Sequence, residues 1–281
     1  MNKLIIHSEL IDPRPRATED GSMTAITEEF RGAISYLMRS IAAQPEVGGE
    51  YIGMLMFLSR GRRLLEGVQL LAARGYRAEA FAVSRSLTEC AIDIAYILRT
   101  DTKARMDKFF NYIHLSSKQR YERLAEQGIH VPEDQRRSTD LAFAQVASSF
   151  NPKQRSWDLN VKQRAEDAGR LDLYKTLFDI GSAASHSSPE GMFWGHEMDF
   201  SVDANGRVLH LSERDATASE RLLPYRLACL AMVDLLVTVM TYMDSDACAV
   251  RVKELWERVG PRLQKSGGEP EKHDEPPSLQ K

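Results

Sequence analysis

Cysteine is scarce in this 281-residue sequence: there are three, Cys90, Cys229 and Cys248, with no paired spacing, each in an apolar helical stretch rather than in a metal knuckle. That argues against a disulfide framework and a cysteine-based zinc site, and it predicts reduced, packed thiols in a cytoplasmic protein. An excess of one charge is lacking too. Lys plus Arg number 37 and Asp plus Glu 40, a formal net charge of −3, so no whole-protein basic field favours non-specific duplex binding, although a local patch would escape this test. The sequence has no Gly-rich phosphate loop, no dinucleotide fingerprint, no Gly-x-Ser-x-Gly elbow, no His-Glu-x-x-His and no Glu-x-x-His. No cofactor is implied. The longest apolar stretch, residues 227–243, is interrupted by Asp234 and reads as a buried core helix sooner than a membrane span. The opening MNKLIIHSELIDPRPR is broken by His7, Glu9 and Asp12 and has no small-residue cleavage site, so it does not read as a signal peptide.

What is present is helical periodicity. Ser22 is an N-cap candidate, followed by an apolar stripe through Met23, Ile26, Phe30, Ile34, Leu37 and Ile41, with Pro45, Gly48 and Gly49 as the stop. Further helices are expected over about 51–74 (stopped by Gly75), 76–99 and, after a Thr100/Asp101 cap, on to 127. Shorter ones are expected over about 133–149, 160–168 and 171–185, and long ones over about 216–243 and 245–263. One segment has the strand period: residues 192–202 and 207–211 flank Asn205-Gly206, whose positive-φ tolerance suits a type I′ hairpin turn. The expected fold is mainly α, an antiparallel multi-helix bundle over 22–264 with one inserted β-hairpin at about 192–211. An extended segment over 1–21 and a disordered Gly/Pro/charge-rich tail over 265–281 flank it.

The third helix carries the most chemistry. Phe81, Val83, Leu87, Ile92, Ile94, Ile97 and Leu98 surround its circumference, marking burial on most sides, yet steps of four place Arg85, Glu89 and Asp93 on one face, with Tyr96 a turn on. Glu89 can accept from Arg85 or from a guanidinium on a neighbouring helix. If that network is buried, Glu89→Ala should cost about 2 to 4 kcal/mol. Two readings stand: an internal ion-pair network, or a pocket that tunes a catalytic group. His186, in Gly181-Ser182-Ala183-Ala184-Ser185-His186, is flanked by small residues that leave the imidazole approachable as a general acid or base. The alternative is a helix C-terminal histidine bonding the last carbonyls. Glu89 and Asp93 with His114, His186, His196 or Glu197 could form a metal site, but no ligand motif supports one, and no metal residue is assigned. Tyr112, His114, Lys118, Arg120 and Tyr121, with Lys153, Arg155, Trp157, Lys162 and Arg164, form a cationic and aromatic mixture suited to single-stranded nucleic acid or to a solvated helix face.

Arg85-Ser86-Leu87-Thr88-Glu89 with Asp93 and Tyr96, Phe109 to Tyr112, Trp157 ahead of Arg164, and Tyr174 leading to Ser182-x-x-x-His186 resemble a widespread bacterial family, the domain-of-unknown-function family numbered five-six-seven-seven, over roughly 50–245. A more distant likeness is to the HEPN helical-bundle superfamily, many of whose members are metal-independent ribonucleases in toxin-antitoxin and antiphage systems. Their Arg, short polar stretch and His are matched here only in the His: Ile180, Gly181 and Ser182 stand four to six residues before His186, so Arg85 would supply the guanidinium from another helix. The likeness implies a defence or stress effector, a metal-independent ribonuclease or RNA-binding toxin, in which His186 is general acid/base, Arg85 holds phosphate and Glu89 orients one of them. Asp93, Tyr96, Tyr112, Tyr174, Ser182 and Arg164 would be binding residues. The competing class is a non-catalytic interaction module whose Arg/Glu/His network is structural. The expected partners are RNA, a second copy of the chain and a regulatory protein, with no membrane. The homodimer follows from the likeness and from the helix at 216–243, apolar on nearly every side and so central or shared.

Overall fold

The computed structural model describes residues 21–44, 46, 48–151, 153–185, 198–202, 208–213 and 218–265. The described part is mainly helical. Helix α1 (Gly21–Ala42) buries the expected stripe from Met23 to Ile41, and it starts one residue before Ser22, so Ser22 lies in its first turn instead of capping it. Helix α2 (Gly49–Ala73) ends where Gly75 takes a φ of 80°, a conformation that an L side chain resists. Helix α3 (Arg77–Arg99) and helix α4 (Thr102–Glu126) follow. Between them Asp101 is left-handed at φ 47° and makes no side-chain capping bond. Helix α5 is Glu133–Val146, extended by a short 3-10 turn, Ala147–Ser149.

Helix α6 (Val161–Asp167) begins in a capping box, Asn160 Oδ1 accepting from the Gln163 N–H while the Gln163 side chain accepts from the Asn160 N–H. After Gly169 at φ 68° the chain re-enters helix as α7 (Leu171–Leu173), a π segment (Tyr174–Phe178) and α8 (Asp179–Ser185). The sequence pattern suggested one plain helix here. The π widening changes the phase midway, and such segments often occur at functional positions.

Strand β1 (Met198–Val202) pairs antiparallel with β2 (Val208–Glu213), Phe200 opposite Leu211, with a register shift between Ser201 and Val202. The Asn205-Gly206 turn lies outside the described residues, as do 1–20 and 266–281. Helices α9 (Ala218–Met243) and α10 (Asp246–Lys265) close the described chain.

The core forms where α9 packs against α3 and α2, flanked by α1 and α10. Leu222, Leu227, Met232, Leu235, Leu236 and Val239 of α9 are buried against Phe30, Leu58, Leu65, Leu87 and others in one continuous cluster. Each such side chain contributes about 1.5 to 3 kcal/mol on leaving water. Residues 222–243 are long and apolar enough to cross a membrane, with mean hydropathy 1.8, but most of that stretch is covered by the protein's own helices. Asp234 within it pairs with Arg170 at 2.7 Å. The helix is central, and of its large apolar side chains Leu230 is exposed, at 42%. Cys90, Cys229 and Cys248 are free and buried, as their apolar settings predicted.

Candidate functional site

Arg164 of α6 is the centre of the polar interior. Its side chain is 1% exposed, and its Nε donates to Asp93 Oδ1 at 2.6 Å. Nη1 donates to Ser156 Oγ at 2.8 Å and to the Leu159 carbonyl, and Nη2 lies 3.5 Å from Glu89 Oε1. The guanidinium also sits over the Trp157 ring, 5.2 Å from its centroid. A buried guanidinium needs its donors used and its charge compensated, and this shell does both. Glu89 was expected to be buried in this network; its side chain is instead 40% exposed, and the close counter-charge is Asp93. Burial, with a further push from Glu89, raises the Asp93 carboxyl to about 7 against the opposing pull of Arg164. The neighbouring Cys90 thiol is pushed up to about 12, chiefly by burial and then by Asp93, so it is not a thiolate nucleophile at neutral pH.

Tyr96 belongs to the adjoining layer. Its hydroxyl donates to Asp158 Oδ2 at 2.8 Å, and Lys108 holds the other oxygen at 2.7 Å. Arg105 covers the Tyr96 ring at 3.8 Å and pairs with Asp167 at 3.1 Å. Tyr96, Trp157 and Phe109 meet edge to face, with centroids 5.6 Å and 5.3 Å apart. Burial and then the Asp158 bond raise the Tyr96 phenol to about 12, which keeps it a donor.

Arg85 turns away from this cluster. Its guanidinium lies 4.5 Å above the Phe178 ring, and Phe178 stacks on Tyr174 at 5.0 Å with 19° between planes. Arg85 Nε is buried with no acceptor among the described residues. Two helices meet closely here: a Cβ on Gly181 of α8 would come within 2.5 Å of Arg85 Cβ and 2.8 Å of the Phe81 carbonyl. The Gly181-Ser182 pair is therefore a close-packing device as well as a small-residue approach. Burial and Asp179 raise the Tyr174 phenol, and Arg85 lowers it. His186 follows Ser185, the last residue of α8, and lies outside the described residues.

The expected site thus divides. Glu89, Asp93 and Arg164 converge, and Tyr96 packs beside them through Trp157. Arg85, Tyr174 and Ser182 belong to the α3/π/α8 junction. Tyr112 is in neither cluster: it lies against Phe150, centroids 6.1 Å apart, and lines a separate groove. Sequence reasoning missed Asp158, Phe178 and Arg226. Phe178 was recoverable, being four residues after Tyr174, whereas Arg226, two of whose guanidinium nitrogens are buried without an acceptor among the described residues, carried no local signal. Among the described residues no three His, Cys, Asp or Glu side chains gather as metal ligands would; His186, His196 and Glu197 lie outside them.

These features define a mainly helical bundle whose third helix holds a guanidinium from a short later helix in its interior. Residues 51–202 match the family of unknown function DUF5677, more than half of the 281-residue chain, and the chain belongs to that family. No curated protein and no solved structure matches it.

Proposed function

We propose that this chain is an RNA-directed effector of HEPN-like type, working without a metal ion in the cytoplasm. The observation that carries this reading is the Arg85 guanidinium: stacked on Phe178, it keeps a buried Nε without an acceptor among the described residues, on the face of α3 where Gly181 packs, one helical turn before His186 in the sequence. In this reading the guanidinium holds the phosphodiester through its terminal nitrogens. In the reaction the ribose 2′-hydroxyl attacks the adjacent phosphorus and passes its proton to His186. The P–O5′ bond breaks, and the resulting imidazolium returns the proton to the departing 5′-oxygen, leaving a cyclic phosphate and a 5′-hydroxyl. Glu89, whose described partner is Arg164, takes no part in the proton transfer. The inserted β-hairpin expected at about 192–211 belongs to the same reading.

The test is cleavage of a mixed RNA pool in excess EDTA by wild type, His186→Ala and Arg85→Ala, with thermal melting of each. Cleavage that persists in EDTA and disappears in His186→Ala while the melt is unchanged supports the reading. Activity removed by EDTA and restored by manganese or zinc overturns it in favour of a metal site.

A second reading has its own support: Arg164 and Asp93 are sealed, as a purely structural network would be. On that reading the chain is a helical interaction module, and wild type and His186→Ala are equally inert towards RNA.

A further inference from the structure

Arg123 on α4, with Lys153 and Arg155 on the segment after α5, lines a groove of about 860 Å3 that opens to solvent and has Tyr112 and Ser116 on its wall. These three cations have no ion-pair partner among the described residues. Two carboxylates oppose them: Glu126, and Glu122, which shares Lys118 with Asp140, each pair at 3.0 Å. A protein of net charge −3 has here a local surplus of positive charge around an aromatic ring.

The wall that carries Lys153 and Arg155 is held in place beforehand. Gln119 of α4 donates to the Gln154 carbonyl at 3.0 Å, Asn151 Oδ1 accepts from the Lys153 N–H at 3.0 Å, and the Gln154 side chain donates to the Ser156 carbonyl. Ser156 Oγ in turn accepts from buried Arg164 at 2.8 Å. The interior Asp93–Arg164 pair therefore anchors the groove's outer wall, and a ligand would not have to order it.

We propose that this groove binds single-stranded RNA, the three cations holding successive phosphates and Tyr112 receiving an unstacked base. A duplex keeps its bases stacked inside a convex cylinder and cannot offer one to a ring set in a concave wall, whereas a single strand can. The volume lies within the roughly 300 to 1,000 Å3 of small-ligand sites, room for a nucleotide or two of a strand that continues past the open side. The choice of RNA rests on the function proposed above; binding by the groove does not require that cleavage occur.

The experiment is fluorescence anisotropy of a labelled uridine-rich 12-mer on the full chain, across salt concentrations. Three phosphate contacts on a single strand give a slope of log affinity against log salt near −2, about a twentyfold loss between roughly 50 and 200 mM. Arg123→Ala, Lys153→Ala and Arg155→Ala together should remove that salt dependence, and Tyr112→Leu should weaken binding by about tenfold. Because Tyr112 is half-buried, Arg155→Glu alone serves as the surface variant that keeps the packing; it should lower affinity with an unchanged melt. Wild-type affinity in the triple variant overturns the assignment, and so does preference for an acidic peptide or for duplex DNA over the single strand. Binding lost in the triple variant of a protein that cleaves nothing supports the groove while the catalytic reading fails; cleavage lost in His186→Ala with binding indifferent to the triple variant does the reverse.

Discussion

Asp93→Ala separates a sealed ion pair from an exposed one on the same helix face. In the variant, Arg164 stays 1% exposed and keeps Ser156 Oγ and the Leu159 carbonyl, but its nearest remaining anion is Glu89 at 3.5 Å, a side chain 40% exposed. Removing one partner of a buried pair costs about 3 to 5 kcal/mol, because the other charge is left in a medium that solvates it poorly. A half-exposed carboxylate, screened by water, is worth about 0 to 1 kcal/mol. Asp93→Ala should therefore cost several times as much as Glu89→Ala, and the large loss inferred from sequence for Glu89 belongs to Asp93 instead. The pH dependence has a definite sign. With its acid pushed up to about 7 from an ordinary value of 3.8, folded Asp93 holds its proton more tightly than the unfolded chain does. Its contribution to stability is then fully present below 3.8 and is lost as pH rises through about 7. Urea midpoints of wild type, Asp93→Ala, Asp93→Asn and Glu89→Ala at several pH values between 4 and 8 test both points, the difference between wild type and Asp93→Asn isolating this one group. Equal losses for Glu89→Ala and Asp93→Ala would refute the burial argument. A wild type that gains stability over Asp93→Asn as pH rises from 4 to 7 would refute the titration argument.

Gly181→Ala should destabilise by about 1 to 3 kcal/mol although alanine is the better helix former, since its Cβ would meet Arg85 Cβ at 2.5 Å; a raised melting temperature would show that α3 and α8 do not approach so closely. Asn160→Ala removes the acceptor of the α6 capping box and should cost about 1 kcal/mol by calorimetry, with Asn160→Ser recovering most of it. Leu230→Glu alters the exposed large side chain of α9 and should leave the light-scattering mass unchanged, whether it corresponds to one 31.7 kDa chain or to two; a dimer that splits in this variant would show that α9 is shared after all. For residues 203–207 we expect NMR couplings of positive φ at Asn205 and Gly206, as a type I′ turn requires, and helical shifts there would rule the turn out.

Local rules were legible in the sequence and pairings across distance were not. The polar face of α3 could be read because Arg85, Glu89 and Asp93 follow one another by four, a property of the helix alone. Their partners could not, because they depend on how later segments pack. Arg164 stands 71 residues from Asp93, and nothing local distinguishes it from the other guanidiniums that could have filled the role. Sharing a face also hid a difference in depth: Asp93 lies under α6 while Glu89 reaches solvent, so one spacing rule gave two carboxylates with unequal roles. At the other end of α3, the π segment places Phe178 under Arg85, and a plain 3.6-residue repeat does not anticipate that contact. The cations at 153 and 155 were visible as charges, but their usefulness depends on backbone held by Gln119 and by Ser156, and through Ser156 on Arg164 and Asp93. A residue buried in α3 and a groove on the outside of α4 thus share one chain of hydrogen bonds. Loosening Asp93 should be felt at the groove as lost preorganisation, while neutralising Arg155 should leave the interior unchanged.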